Sequence, residues 1–198
     1  MWADAATRLE GRLVVLEPLV PAHEEGLWKA ANDGEVWRHM LWNAIESRAA
    51  FHGWLEEALE QARAGQRIPF TVLAAADERP LGSSSYLALR PEHRGLEIGW
   101  TWMARETWGT GTNPEAKLLL MEHAFERLGC MRVEFKTDAR NERARAALAA
   151  LPARFEGIFV KHMLVRGGEL RDSAWYSVTD DEWPDVKAAL TARLAARS

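Results

Sequence analysis

Trp102-Met103-Ala104-Arg105-Glu106-Thr107-Trp108-Gly109-Thr110-Gly111-Thr112-Asn113-Pro114-Glu115-Ala116-Lys117 is the stretch on which the fold turns. It continues an alternating segment, Leu96 to Met103, in which Ile98, Trp100 and Trp102 take turns with Glu97, Gly99 and Thr101. That period of two predicts a strand with the first set on one face and the second on the other. A helical pattern follows from Asn113 to Leu128, with Asn113 as N-cap, Pro114 at the first helical position and Gly129 past the end. Between them, Gly109-Thr110-Gly111-Thr112 forms a loop whose backbone can approach a ligand closely. The helix it opens offers unpaired N–H groups and the positive end of its dipole. Together these make an anion cradle suited to a pyrophosphate.

Two familiar nucleotide-binding loops do not fit. A Walker loop needs Gly-x-x-x-x-Gly-Lys-Ser/Thr, a spacing absent here, and a dinucleotide fingerprint needs a third glycine where this chain has Pro114.

Outward from the loop, Met131 to Thr137 reads as a strand and Asn141 to Leu151 as a helix ended by Pro152. Phe155 to Val165 and Ser173 to Val178 read as a hairpin around Gly167-Gly168, and an amphipathic helix begins at Asp180. On the N-terminal side, Arg12 to Leu16 is a first strand, followed by helices over Pro21–Asn32 and Ser47–Ala64. Ser47 is a good N-cap and Gly65 a stop. Phe70 to Ala75 and Leu81 to Arg90 complete a meander into the central segment. The order β-α-α-β-β-β-α-β-α-β-β-α predicts a mixed α/β (α+β) fold, a mixed sheet with helices on both faces. No linker or repeat divides the chain, so one domain over residues 1–198 is expected.

Composition narrows the classes. Hydrophobic residues make up 47% and charged residues 27%, enough for a sizeable core. A formal charge of −4 argues against sequence-independent nucleic-acid binding. Cys130 is the sole cysteine, so no internal disulfide forms, and six scattered histidines show no metal-ligand spacing. The N-terminus lacks an apolar leader and no run is long enough to span a bilayer, so a cytoplasmic protein is expected. The 10 tryptophans read mainly as core. The group Trp37, His39 and Trp42 offers an alternative, aromatic faces for a cationic amine. His123 and His162 read as structural.

The run Leu96-Glu97-Ile98-Gly99-Trp100-Thr101, with Trp108-Gly109-Thr110-Gly111-Thr112-Asn113-Pro114-Glu115-Ala116-Lys117, resembles the acetyl-CoA-binding motif of GNAT acetyltransferases. The branch it resembles includes the ribosomal-protein N-terminal alanine acetyltransferases. The likeness continues through Arg132-Val133-Glu134, Lys136-Thr137-Asp138, Asn141-Glu142-Arg143, Glu156-Gly157, Lys161-His162-Met163 and Arg171-Asp172. The resemblance implies a largely antiparallel, twisted sheet, with backbone amides around Thr110 to Asn113 binding the pyrophosphate of coenzyme A. It implies that the strand with Trp100, Thr101 and Trp102 splays from the Arg132–Thr137 strand, leaving a gap for the pantetheine arm. Trp108 and Gly109 border that site, and Asn141 hydrogen-bonds the arm as well as capping its helix.

Acetyl transfer to an amine needs a neutral nucleophile, a stabilised oxyanion and a departing thiolate. Glu97 is the first candidate for the base, and backbone N–H groups near Trp102 for the oxyanion. An α-amine, with a pKa of about 7.8, needs only a modest base. The general acid is not visible. Leu148 stands where many family members carry tyrosine, Ala144 where relatives in this branch often carry serine, and Pro152 where they usually carry glycine. The expectation is an acetyl-CoA-dependent N-acetyltransferase acting in a ternary complex on a protein N-terminus or a small amine, with a homodimer as a further expectation. The alternatives are a non-catalytic acyl-CoA-binding module and an interaction protein that has lost its cofactor.

Overall fold

The chain, as a computed structural model, is described at residues 2, 4–41 and 43–196; Trp42 lies outside them. β1 (Leu9–Glu10) and β2 (Val14–Pro18) lead to α1 (Glu24–Ala31), a short α2 (Gly34–Trp37) and α3 (Arg48–Arg63). Then come β3 (Ile68–Ala74), β4 (Pro80–Arg90), β5 (Gly95–Met103) and α4 (Thr112–Glu122), which widens into a π-turn over His123–Arg127. β6 (Arg132–Asp138), α5 (Glu142–Ala149), β7 (Arg154–Val165), β8 (Glu169–Thr179) and α6 (Trp183–Ala195) complete the order. Beyond the sequence reading, the structure adds β1, α2 and the π-turn.

Among the described residues, eight strands form one sheet in the order β1-β2-β3-β4-β5-β6-β8-β7. β5 and β6 are parallel; the other neighbours pair antiparallel. This is the mixed, mostly antiparallel sheet expected. Its helices cover two apolar layers. One holds Leu16, Phe70, Tyr86, Leu96, Ile98, Leu120, Phe135 and Val178 beneath α4 and α6. The other holds Leu27, Trp37, Phe51, Trp54 and Trp102 beneath α1, α2 and α3. Trp37 meets Trp54 edge-on at 6.1 Å between ring centroids, and Trp54 meets Trp102 at 5.6 Å, the geometry favoured by ring quadrupoles. The tryptophan excess on this side is core. No helix among the described residues is long and apolar enough to cross a membrane.

Two local expectations need correction. Strict alternation places Ile98, Trp100 and Trp102 on one face, yet Ile98 belongs to the first layer while Trp100 and Trp102 pack on the second. The cause is a bulge: Ser83 faces Trp102 and Ser85 faces Gly99, so β5 carries one residue more than β4 between these pairs. Trp100 takes φ +49° there and reverses the facing of what precedes it. Gly82 makes the close approach possible, since a Cβ on it would lie 2.2 Å from the Trp102 carbonyl.

The start of α4 also differs. Its N-cap is Gly111, so Asn113 sits within the first turn. Thr110 Oγ1 accepts the Thr112 amide at 3.2 Å, serving the helix end from one residue before the cap.

Candidate active site at the divergence of two strands

β5 and β6 pair only at Gly95–Arg132, Leu96–Val133 and Glu97–Glu134. Beyond Glu97 they diverge, because β5 bulges toward β4 while β6 continues straight along β8. Among the described residues, the edge of β5 from Ile98 to Met103 therefore has no strand partner on the β6 side. A cavity of about 630 Å³ fills the divergence. It touches Glu97, Trp100, Thr101 and Trp102 on β5, Phe135 and Lys136 on β6, Lys117 on α4, and Asn141, Ala144 and Leu148 around α5.

One end of the cavity reaches the loop before α4 through Trp108, Gly109, Thr110 and Asn113. Gly109 has φ +74°, and a Cβ there would meet nothing within 4 Å, so the backbone faces open space. The helix starts on a glycine with no side-chain cap. Arg143 and Arg193 line the same cavity, and the Arg143 guanidinium lies 3.2 Å from the centre of the Trp108 ring. A glycine loop, a helix start and two guanidinium groups form a set that fits a pyrophosphate. Gly111 and Thr112, expected in this set, do not line the cavity. A Cβ on Gly111 would lie 2.5 Å from Leu13 Cδ1 and 3.4 Å from Leu194 Cδ2, so that glycine serves packing.

Asn141 caps α5: its Oδ1 accepts the Ala144 amide at 3.0 Å, and the residue also borders the cavity. Both placements follow from one loop, in which the Asn141 amide is itself held by the Asp138 carbonyl at 2.9 Å.

At the divergence point, Glu97 is only 2% exposed and pairs with Lys136 Nζ at 2.8 Å. Burial raises its pKa, opposed by the Lys136 charge and hydrogen bond. Arg171, from β8, is also buried here, and its Nε has no hydrogen-bond partner among the described residues. His39 also borders the cavity, 4.0 Å from the Asp138 carboxylate, and burial lowers its pKa. His162 instead bonds Ser173 Oγ at 3.0 Å, and His123 lies 3.3 Å from the Tyr86 hydroxyl.

Lys117 borders the cavity as well. Its Nζ donates to Thr101 Oγ1 at 3.0 Å and sits 5.2 Å from the Phe135 ring centre. Burial pushes its pKa down to about 7, against the raising effect of the Glu97 charge. Among the described residues lining the cavity there is no tyrosine, serine or cysteine. Cys130 is buried elsewhere, its thiol pushed up to about 12 by burial. Among the described residues no His/Cys/Asp/Glu group is arranged to hold a metal ion.

Residues 13–153 match the acetyltransferase (GNAT) domain family. The chain belongs to the GNAT acetyltransferases. A GCN5-related N-acetyltransferase from Brucella melitensis is 32% identical, with 96% of this chain and 86% of that chain covered and a TM-score of 0.88. A T. thermophilus structure provisionally described as an acetyltransferase is 41% identical over 98% of this chain and 100% of that one, TM-score 0.89. Mycobacterium smegmatis RimJ, solved in complex with CoA-disulfide, shares the fold at 21% identity and TM-score 0.76, covering 96% and 94%. A comparison with curated proteins gave no match. This GNAT protein is an acetyltransferase, and its likeness reaches the ribosomal-protein enzymes at the level of fold.

Sequence reasoning passed over Lys117, Lys136, Arg143 and Arg171 as site residues. Each lies inside a quoted motif, but burial at the cavity depends on strands and helices distant in sequence.

Proposed function

We propose that this chain is an acetyl-CoA-dependent N-acetyltransferase that acetylates a primary amine by direct attack within a ternary complex. The observation that carries the reading is the divergence of β5 and β6 immediately after Glu97, opening one cavity that runs from a buried carboxylate to the loop before α4. Bound acetyl-CoA supplies an activated acyl group as a thioester. The loop before α4 at Gly109, Thr110 and Asn113, with Arg143 and Arg193, holds the pyrophosphate, and the β5 edge with Asn141 orients the arm. Trp100, Thr101 and Trp102 form the wall along it, and backbone N–H groups near Trp102 stabilise the oxyanion. Glu97, its pKa raised by burial against the opposing charge of Lys136, receives the proton of the incoming amine. The acceptor is a protein N-terminus or a small amine.

Partly exposed apolar side chains along the edge strand β7, with Phe159 at 51%, Val160 at 70% and Leu164 at 71%, support self-association into a homodimer. The absence of tyrosine, serine and cysteine from the described cavity lining favours a second reading, an acyl-CoA-binding module without turnover; acetylation of any amine removes it.

Calorimetric titration with acetyl-CoA, on the native protein and on Gly109→Asp, tests the proposal. The added carboxylate enters open space and repels a pyrophosphate; because φ +74° strains any side chain at this position, a thermal melt checks that the variant is folded. Saturable binding lost in the variant is expected; a native protein that binds no acetyl-CoA refutes the reading.

A further inference from the structure

Two lysines line the cavity, and their partners differ in kind. Lys136 Nζ forms an ion pair with the Glu97 carboxylate at 2.8 Å. Lys117 Nζ has a hydroxyl, Thr101 Oγ1 at 3.0 Å, and the Phe135 ring face; among the described residues no carboxylate lies within ion-pair distance of it. Thr101 is on the unpaired edge of β5 and Phe135 is on β6, so Lys117 bridges the two lips of the divergence. A helix-borne amine of 8% exposure is thus fixed in the gap that the proposed function assigns to the acyl-bearing arm.

We propose that Lys117 is a self-acetylation site. The inference rests on acetyl-CoA occupying the cavity. The Nζ lone pair attacks the thioester carbonyl carbon; an N–C bond forms, the C–S bond breaks, and coenzyme A leaves as thiolate. The proton lost from Nζ neutralises that thiolate, so the step needs no reagent beyond acetyl-CoA. Two features favour the attack. A low-dielectric setting with no carboxylate at ion-pair distance among the described residues disfavours the ammonium, and with a pKa of about 7 roughly half of Lys117 is neutral near neutrality. Confinement beside the thioester replaces a bimolecular encounter with a positioned one. The product, an uncharged amide, adds bulk between Thr101 and Phe135 and narrows the gap, so the modified chain holds the cofactor less tightly.

The test incubates the full chain with acetyl-CoA carrying an isotope-labelled acetyl group and maps the label by peptide mass spectrometry. Calorimetry on the same preparation reports cofactor binding. One labelled acetyl on Lys117, none on Lys136, and faster uptake as pH rises past 7 are expected. Lys117→Arg and Lys117→Met should take up no label at this position. In cofactor-free protein, competitive labelling with acetic anhydride should show Lys117 titrating well below the ordinary lysine value of 10.5. Bound acetyl-CoA with an unlabelled Lys117, or label on Lys136 instead, overturns self-acetylation and leaves the cofactor reading intact. No binding of acetyl-CoA overturns both.

Discussion

The Glu115 carboxylate on α4 accepts the backbone amide of Leu13, at the entrance to β2, at 2.6 Å. Its Oε2 also takes the Val14 amide at 2.8 Å, and its Oε1 the Arg12 amide at 3.2 Å. A buried side chain of the helix that opens the site thereby satisfies three donors of a chain segment far away in sequence. The bond fixes the depth of α4 against the sheet, and with it the loop at Gly109.

Glu115→Ala leaves these amides without their acceptor, at about 1–3 kcal/mol for each that stays buried. With roughly 2–4 °C lost per kcal/mol in a chain of this size, Tm should fall by about 10 °C or more. Glu115→Gln, which keeps one acceptor oxygen, should lose distinctly less. Thermal melts of the three proteins decide it; equal melting temperatures would show that the bond carries no stability.

Trp54, 1% exposed among Trp37, Phe51 and Trp102, anchors the second apolar layer. Trp54→Ala should cost about 3–5 kcal/mol in denaturant unfolding, from lost burial and the cavity left behind. Trp54→Phe, which keeps a ring, should cost less than half of that.

Glu97 acting as base must be deprotonated. Because burial raises its pKa, activity should fall on acidification through a limb lying above the ordinary glutamate range. Glu97→Gln should lower kcat by about 10²-fold or more, abolish that limb, and leave acetyl-CoA affinity nearly unchanged. An unaltered pH profile in the variant would remove Glu97 from the proton path.

Lys117 also marks the stability curve. Its folded pKa is about 7 against an ordinary 10.5, so between these values the unfolded chain binds the extra proton. Stability therefore gains from this group as pH rises from about 7 toward 10.5, and is reduced by it at lower pH. Lys117→Met should flatten this slope and raise Tm most at pH 6, by at least about 3 °C. Melting curves across that range test the sign.

Gly82 lies under the bulge, with 2.2 Å between its would-be Cβ and the Trp102 carbonyl. Gly82→Ala must push β4 from β5 and should destabilise by about 1–3 kcal/mol while loosening the wall at Trp100. A variant as stable as the native protein would mean that the bulge adapts freely.

The sequence by itself determined the order of elements, the glycine loop between β5 and α4, the cap at Asn141 and the hairpin turn at Gly167-Gly168. These are signals of short range: alternation along one strand, a capping oxygen three residues from its amide, a glycine where φ is positive. They were enough for the family and for nine of the residues that line the cavity. Tertiary structure alone decided which glycine faces the cavity and which faces Leu13, because Gly109 and Gly111 look alike until α4 is docked. It decided that Trp100 and Ile98 lie on opposite faces, since the bulge depends on register with β4. It also decided that Lys117 is buried against Thr101 while Lys136 is paired with Glu97. Burial and counter-ion belong to partners brought from distant segments, and the ionisation of a lysine depends on both.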